Sequence, residues 1–315
     1  MPTVDVVIPV HNRWDLTESC LQHLRDQTSS HQVVVCDNGS TDGTPERART
    51  TFPEARIVEL GANLGFSVAC NAGVRAGDGE IVLLLNNDVD CPPNFVERLA
   101  APFADDDRIG SVAALLLRPG GGQIDSFGVT VDPTLAGYPR LRGLTSNEAQ
   151  TIRPLLAGPS GAAGAYRRAS WEDVGGLDEG TFSYGEDIDL ALRLRAAGWV
   201  AAGAADAVAV HIGSATARAR SEWQRYEGGF SRGYFLRRYG MLRGSETLRV
   251  LATETIVVAG DALVYSHDFA ALRGRIRGWR AAAGRPRRQR PEGALDRSIT
   301  FTRSLRLRRD IYSCT

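Results

Sequence analysis

A chain of 315 residues with 43% hydrophobic and 23% charged side chains has enough apolar material for a sizeable core, which excludes the disordered class. Its formal net charge is zero, yet residues 1–211 carry 16 Arg against 28 Asp and Glu, while residues 212–315 carry 21 Arg against 9. That asymmetry implies docking of the basic part on the acidic part, or attraction to an anionic membrane surface or phosphorylated acceptor; it excludes nucleic acid, because Trp279 alone among residues 273–290 is aromatic and makes no stacking series.

Apolar runs alternate with helical patterns through the first part of the chain. A strand is predicted over Val4–Val10, then a helix over 15–26 opened by a capping box from Asp15 to Glu18. Strands follow at 32–36, 55–60 and 80–86, with a helix after Thr44-Pro45, read as N-cap and first helical proline, and another at 67–76. Such alternation predicts βαβ units and a mostly parallel sheet. Between strands and helices lie polar, glycine-bearing turns at 37–43 and 61–65, where open α/β sheets bind ligands.

From 109 to 168 the apolar pieces shorten and Gly and Pro increase, predicting antiparallel strands and a loop near 119–122 that orders on binding. A helix is expected from Glu186-Asp187 to before Gly198, with Asp189 paired to Arg193 one turn on. After His211 the pattern is helical and Arg-rich, with helices near 222–239 and 246–265. No lysine is present, so every cation is arginine. Cys20, Cys36, Cys70, Cys91 and Cys314 form no Cys-x-x-Cys pair, which fits a reduced setting and buried thiols. The first residues enter the strand without a basic n-region, so no signal peptide is expected, and residues 250–265 are too short and too charged to span a bilayer.

The chemistry concentrates at strand ends. Asp88 and Asp90 follow five apolar residues, Ile81 to Leu85, and so stand at the carboxyl end of a buried strand. One carboxylate there can hold a ribose hydroxyl and the other a divalent cation bridging two phosphates. Asp37 closes another strand, as the acceptor of a base N–H or as an Asx-turn residue. Glu186 and Asp187 open a helix, where capping competes with catalysis, and Phe182-Ser183-Tyr184-Gly185 before them reads as a wall and hinge beside a pocket. His211 ends an apolar strand and is able to complete an Asp/His metal site.

In this order the elements resemble family 2 glycosyltransferases with the GT-A fold, in the branch similar to rhamnosyl- and galactofuranosyltransferases. The residues that carry the resemblance are Val7-Ile8-Pro9-Val10-His11-Asn12, Val35-Cys36-Asp37-Asn38-Gly39-Ser40-Thr41-Asp42-Gly43 and Asn63-Leu64-Gly65-Phe66-Ser67-Val68-Ala69-Cys70-Asn71-Ala72-Gly73. They continue with Leu84-Leu85-Asn86-Asn87-Asp88-Val89-Asp90, Gly175-Gly176-Leu177-Asp178-Glu179, Tyr184-Gly185-Glu186-Asp187-Ile188-Asp189-Leu190 and His211. One departure is Asn86-Asn87, where many members have Asp or Pro.

The resemblance implies an α/β domain over 1–215, with a mostly parallel sheet flanked by helices, and a helical basic extension over 216–315. It implies that Pro9, Val10 and Asn12 line the nucleotide pocket, that Asp37 binds the base, that Asn63 and Gly65 lie near base and ribose, and that Asp88 sits near ribose and diphosphate. Asp90 and His211 would ligate Mg²⁺ or Mn²⁺, and Asp187, with Glu186 beside it, would be the base of an inverting transfer. The implied partners are a nucleoside-diphosphate sugar, with dTDP-rhamnose first, and a glycan, lipid-linked or small-molecule acceptor. A cytoplasmic protein with peripheral membrane contact through 273–290 is expected, and a homodimer is compatible. Two other readings compete. A nicotinamide enzyme requires Gly-x-Gly-x-x-Gly where Pro9-Val10-His11-Asn12-Arg13-Trp14 stands, whereas a catalytically inactive sugar-nucleotide-binding module would not need both Asp90 and Asp187.

Overall fold

Strand β1 (Val4–Val10) is buried on both faces: Val6, Ile8 and Val10 enter one apolar cluster, and Val7 enters another on the opposite side. The computed structural model describes residues 2–151, 154–213 and 221–313, so Cys314 and the expected boundary at 215/216 lie outside the described residues; Cys20, Cys36, Cys70 and Cys91 are free and buried. The chain continues through α1 (Trp14–Arg25), β2 (Gln32–Asp37), α2 (Thr44–Thr51), β3 (Arg56–Glu59), α3 (Phe66–Ala76), β4 (Ile81–Leu85) and β5 (Val89–Asp90). β4 repeats the two-sided pattern, with Ile81, Leu83 and Leu85 facing one cluster and Val82 and Leu84 the other. Each such buried side chain stabilises by roughly 1.5–3 kcal/mol over exposure, which is why these central strands read as unbroken apolar runs.

Two helix starts differ from expectation. No capping box opens α1: its N-cap is Arg13 in the left-handed region, and Asp15 instead accepts from the Arg13 guanidinium at 2.9 and 2.7 Å. The Asn12 carboxamide is committed elsewhere, accepting from the Thr41 backbone at 2.8 Å, and the backbone turns left-handed at Asn12 and Arg13. At α2 the N-cap is Gly43, and Asp42 supplies the acceptor for Thr44, whose hydroxyl lies 2.6 Å away.

The second half comprises α4 (Phe95–Ala100), β6 (Ile109–Leu117), β7 (Ile124–Phe127), β8 (Val129–Val131), β9 (Gly137–Pro139), α5 (Ser146–Ala149), β10 (Ala163–Arg167), α6 (Arg168–Asp173), α7 (Glu186–Ala196) and β11 (Val200–His211). Sheet order is β3-β2-β1-β4-β10-β6-β11-β5, with β7 beside β6. The first four strands are parallel, β10 runs antiparallel to both neighbours, and β11 is parallel to β6. Residues 119–122 form the turn of the antiparallel β6–β7 pair, closed by Arg118 N–H to Gln123 O at 2.9 Å.

The Arg-rich part packs on α7 and on the separate two-stranded β8–β9 sheet. It contains α8 (Glu222–Arg238), α9 (Thr247–Gly260), a π-helical turn at Asp261–Tyr265, α10 (Ala270–Ala281) and α11 (Phe301–Ser313). Gly229 and Gly233 of α8 face the α10 backbone at Ala271 and Arg275, while Gly274 and Gly278 of α10 face Tyr226 and Phe230; a Cβ at any of the four would collide. Tyr234, Phe235, Tyr239, Val250 and Leu295 share one apolar cluster with Val129, Val131, Ala191 and Leu192. Charge follows the same path: Arg288 pairs with Asp178 at 2.7 Å and with buried Asp189, which also holds Arg193 at 2.8 Å as expected.

Candidate active site

Three strand ends and the loops around them define a cleft of about 340 Å³. Pro9, Val10 and His11 leave β1, Asn86, Asn87 and Asp88 leave β4, and His211 closes β11; the strand order reverses between β1 and β4, the place where open sheets receive ligands. Asn38, Asn63 and Phe66 form one wall, and Phe182, Ser183, Tyr184, Trp223 and Gln224 the other. Thus Pro9, Val10, Asn63, Asp88 and His211, all singled out in the sequence, line the cleft.

Asn12, Asp37 and Gly65 support its walls. Asp37 is 2% exposed, and its Oδ2 accepts from Gly39 and Ser40 N–H at 3.2 and 3.1 Å, an Asx turn, while its buried Oδ1 has no hydrogen-bond partner among the described residues. Asn38 ties the two loops together, donating to Asn63 Oδ1 at 2.9 Å and accepting from Leu64 N–H at 2.8 Å. Gly65 has φ +96°, and a Cβ there would stand 2.6 Å from the Phe182 carbonyl, so the loop meets the opposite wall only as glycine.

His211 and Asp88 are the charged centre of the cleft. His211 Nε2 stands 3.5 Å from Asp88 Oδ1, a buried oxygen without a hydrogen-bond partner among the described residues, and Ile212 N–H donates to the Asp88 carbonyl at 2.9 Å. On its other side, His211 Nδ1 lies 2.8 Å from Asp125 Oδ2 on β7. Burial opposes protonation of the ring, but the carboxylates of Asp125 and Asp88 outweigh it and lift His211 to about 9. Burial would likewise raise Asp125, yet His211, Arg142 and Arg118 hold it below the ordinary range. Asp125 carried no signal in the sequence, because its partner is 86 positions away.

The pairing of Asp90 with His211 is corrected. A turn at Asn87-Asp88, with Val89 N–H donating to Asn86 O at 3.3 Å, breaks the strand alternation that would put both aspartates on one side. Asp90 turns to α1, with Oδ1 3.5 Å from His23 Nδ1 and a side chain 40% exposed, and it is not among the residues lining the cleft. The donor set that suits a divalent cation is therefore Asp88 with His211. Its orphaned Oδ1, and an imidazole oriented by a carboxylate behind it, are the features such a site requires. No cluster of three or more His, Cys, Asp or Glu able to hold a metal exists among the described residues, so remaining positions would fall to phosphate and water.

Glu186 and Asp187 begin α7 behind Tyr184. Neither lines the cleft, and neither is the cap, which is Gly185. Asp187 Oδ2 accepts from Gly161 N–H at 3.0 Å and Oδ1 from Ile188 N–H at 2.8 Å; the adjoining Ala162 carbonyl accepts from Asn86 N–H, so Asp187 is tied to the same strand ends as the metal-type donors. Burial raises both carboxyls, and the neighbouring charge of Asp187 raises Glu186 further, whereas two backbone N–H donors favour ionised Asp187. The backbone donors therefore favour the charged form at Asp187, while burial and the charge beside it favour the neutral form at Glu186. Trp223, which sequence reasoning missed, meets Phe182 edge-on at 6.1 Å and Tyr184 at the same separation, which stiffens the wall.

The comparisons agree with this architecture. The family described as Glycosyl transferase family 2 matches residues 5–175. An N-acetylglucosaminyl-diphospho-decaprenol L-rhamnosyltransferase of Mycobacterium tuberculosis is 31% identical over 201 residues, 57% of this chain and 66% of its own length. The O-antigen biosynthesis protein RfbC of Myxococcus xanthus is 29% identical over 69% of this chain and 18% of its own. The chain thus spans just under two thirds of the first relative and less than a fifth of the second. Among solved structures, GalNAc-T7 with UDP, GalNAc and Mn²⁺ aligns at TM-score 0.61 and 15% identity over 89% of this chain and 55% of that one. The mannosyltransferase PcManGT from Pyrobaculum calidifontis, in complex with GDP-Man and Mn²⁺, aligns at 0.52 and 20% identity over 90% and 86%. These likenesses show the fold, which is GT-A. With a match across more than half of its residues, the chain belongs to glycosyl transferase family 2.

Proposed function

We propose that this protein is an inverting glycosyltransferase that moves a sugar from a nucleoside diphosphate to an acceptor hydroxyl. The observation that carries the reading is the Asp88–His211 pair at the centre of the cleft, backed by Asp125, with Asn38 and Asn63 in one of its walls. Asp37, with one orphaned buried oxygen, would accept the base N–H, and Pro9 and Val10 would flank the nucleoside. Asp88 and His211 would hold Mg²⁺ or Mn²⁺, which when bound supplies charge neutralisation to the departing diphosphate. Asp187 would take the proton of the acceptor hydroxyl; its raised affinity for that proton suits it to the task, and Gly161 and Ile188 fix its orientation. Phe182, Tyr184 and Trp223 would limit water at the reacting carbon.

The mycobacterial relative is an L-rhamnosyltransferase acting on a diphospho-decaprenol-linked sugar, which supports L-rhamnose, carried as dTDP-rhamnose in our reading, as the donor sugar and a polyprenyl-diphosphate-linked glycan as the acceptor. Thermal shift against a panel of nucleotide sugars with Mn²⁺ tests the donor, because a ligand of the native state raises its stability by mass action. The catalytic assignment is tested by Asp187→Asn: kcat should fall by about 10²–10⁴-fold with metal–nucleotide affinity retained. A variant that turns over at the parent rate with saturating donor removes Asp187 from the reaction.

A further inference from the structure

The exposed large apolar side chains of the described residues gather on the Arg-rich part. α9 exposes Leu248 at 80%, Leu251 at 48% and Ile256 at 48%; the π turn adds Leu263 at 69% and Val264 at 65%, and Phe269 and Ile276 follow at the start and middle of α10. Within α9, with Ala252 and Thr255, positions 248, 251, 252, 255 and 256 recur at three- and four-residue steps and form one exposed stripe of the helix, and the apolar positions of the π turn and α10 follow it along the chain. No charged side chain of α9 is exposed along it: Arg249 turns to the Ile299 carbonyl, and Glu254 is 12% exposed among Arg232, Arg275 and Arg308. That four-charge cluster locks the polar side of α9 inward, so the apolar side is the outward one.

The flanks of the stripe are cationic. α10 exposes Arg273, Arg277 and Arg280, and α11, which packs on α9, exposes Arg303 and Arg306. Arg273 pairs with Glu222, while Arg277, Arg280, Arg303 and Arg306 have no carboxylate partner among the described residues. A contiguous apolar face beside unpaired arginines is complementary to a lipid surface with anionic headgroups, and no helix of the described residues is long and apolar enough to cross a membrane. Placement supports the same partner. A second cavity of about 280 Å³ lies between Val257 of α9 with Asp261 of the π turn and the start of α7, through Gly185 and Ile188; it shares Tyr184 and Gln224 with the nucleotide cleft.

We propose that the stripe Leu248–Leu251–Ile256–Leu263–Val264, with the arginines of α10 and α11, is the surface by which this protein rests on an anionic lipid bilayer. Binding to the bilayer does not depend on the glycosyltransferase reading; only its consequence does, namely that the second cavity receives an acceptor presented from the lipid side, next to Asp187.

The test is co-sedimentation with phosphatidylcholine vesicles, with and without phosphatidylglycerol, at low and high salt. The parent protein should bind the phosphatidylglycerol vesicles at least about tenfold more tightly, and the preference should shrink with salt. Leu251→Asp with Ile256→Asp should weaken binding by about tenfold or more, and Leu248→Asp, at the most exposed position, should act in the same direction; both should keep metal–nucleotide affinity, which verifies folding and reports separately on the donor site. Arg277→Gln with Arg280→Gln should lower the preference for phosphatidylglycerol. A parent protein that sediments with neither vesicle, or variants that bind as the parent does, overturns the proposal. So does a parent dimer in light scattering that the aspartate variants convert to monomer, since a second copy would then be the occupant.

Discussion

Replacing Asp125 by alanine removes the carboxylate behind His211 without altering any residue that lines the nucleotide cleft. The contact is short, 2.8 Å, between side chains only 17% and 16% exposed, so water substitutes poorly for it. With Asp125 in place, the Nδ1–H is pinned and Nε2 faces Asp88; without it, the ring loses both its tautomer and its orientation. Loss of such an outer partner typically costs 10–100-fold in metal affinity, or about 1.4–2.7 kcal/mol. Alanine should fall near the upper end, because Arg142, 3.5 Å from the other carboxylate oxygen, loses its partner as well. Asparagine should fall near the lower end, since its amide oxygen still accepts from Nδ1. Calorimetric titration of Mn²⁺ into protein saturated with the nucleoside diphosphate chosen by thermal shift measures the effect. Turnover should recover at saturating Mn²⁺. An alanine variant within twofold of the parent in Mn²⁺ affinity would refute the role given to this line of residues.

Other consequences are equally open to measurement. Asp88→Ala should abolish metal-dependent nucleotide binding while Asp90→Ala preserves it, and the reverse result in calorimetry would restore Asp90 as the ligand. Glu254→Ala strands Arg232, Arg275 and Arg308 and should cost about 3–5 kcal/mol in urea unfolding. Burial opposes ionisation of Glu254, but the three arginines hold its carboxyl far below the ordinary 4.5; its stabilisation is therefore present above pH 4.5 and disappears as the medium becomes more acidic, and a parent-to-variant difference that stays constant on acidification would contradict this. Gly65→Ala should destabilise by roughly 1–3 kcal/mol and weaken nucleotide binding, given its positive φ and the Phe182 carbonyl in its way; unchanged melting and affinity would deny the close approach of the two walls.

Local sequence carried the strands because β1 and β4 bury both faces and so spell uninterrupted apolar runs, and it carried the cleft because the polar turns after such runs have one place to go in a parallel sheet. It misread the start of α1: Asp15 and Glu18 have capping spacing, but the long-range bond from Thr41 N–H to Asn12 decides the backbone there. It also passed over the paired Gly-x-x-x-Gly sequences of α8 and α10, which have meaning only once the two helices touch.

What the amino-acid order determined by itself was the family pattern, the strands and the strand ends that carry polar side chains, since these depend on residues within a few positions of one another. Tertiary structure alone decided which carboxylate faces His211, that Asp125 stands behind it, and that Arg288 closes on Asp178 and Asp189. A two-residue turn at Asn87-Asp88 redirects a side chain regardless of spacing, and charges nearly a hundred positions apart meet only once the C-terminal segment has packed on α7.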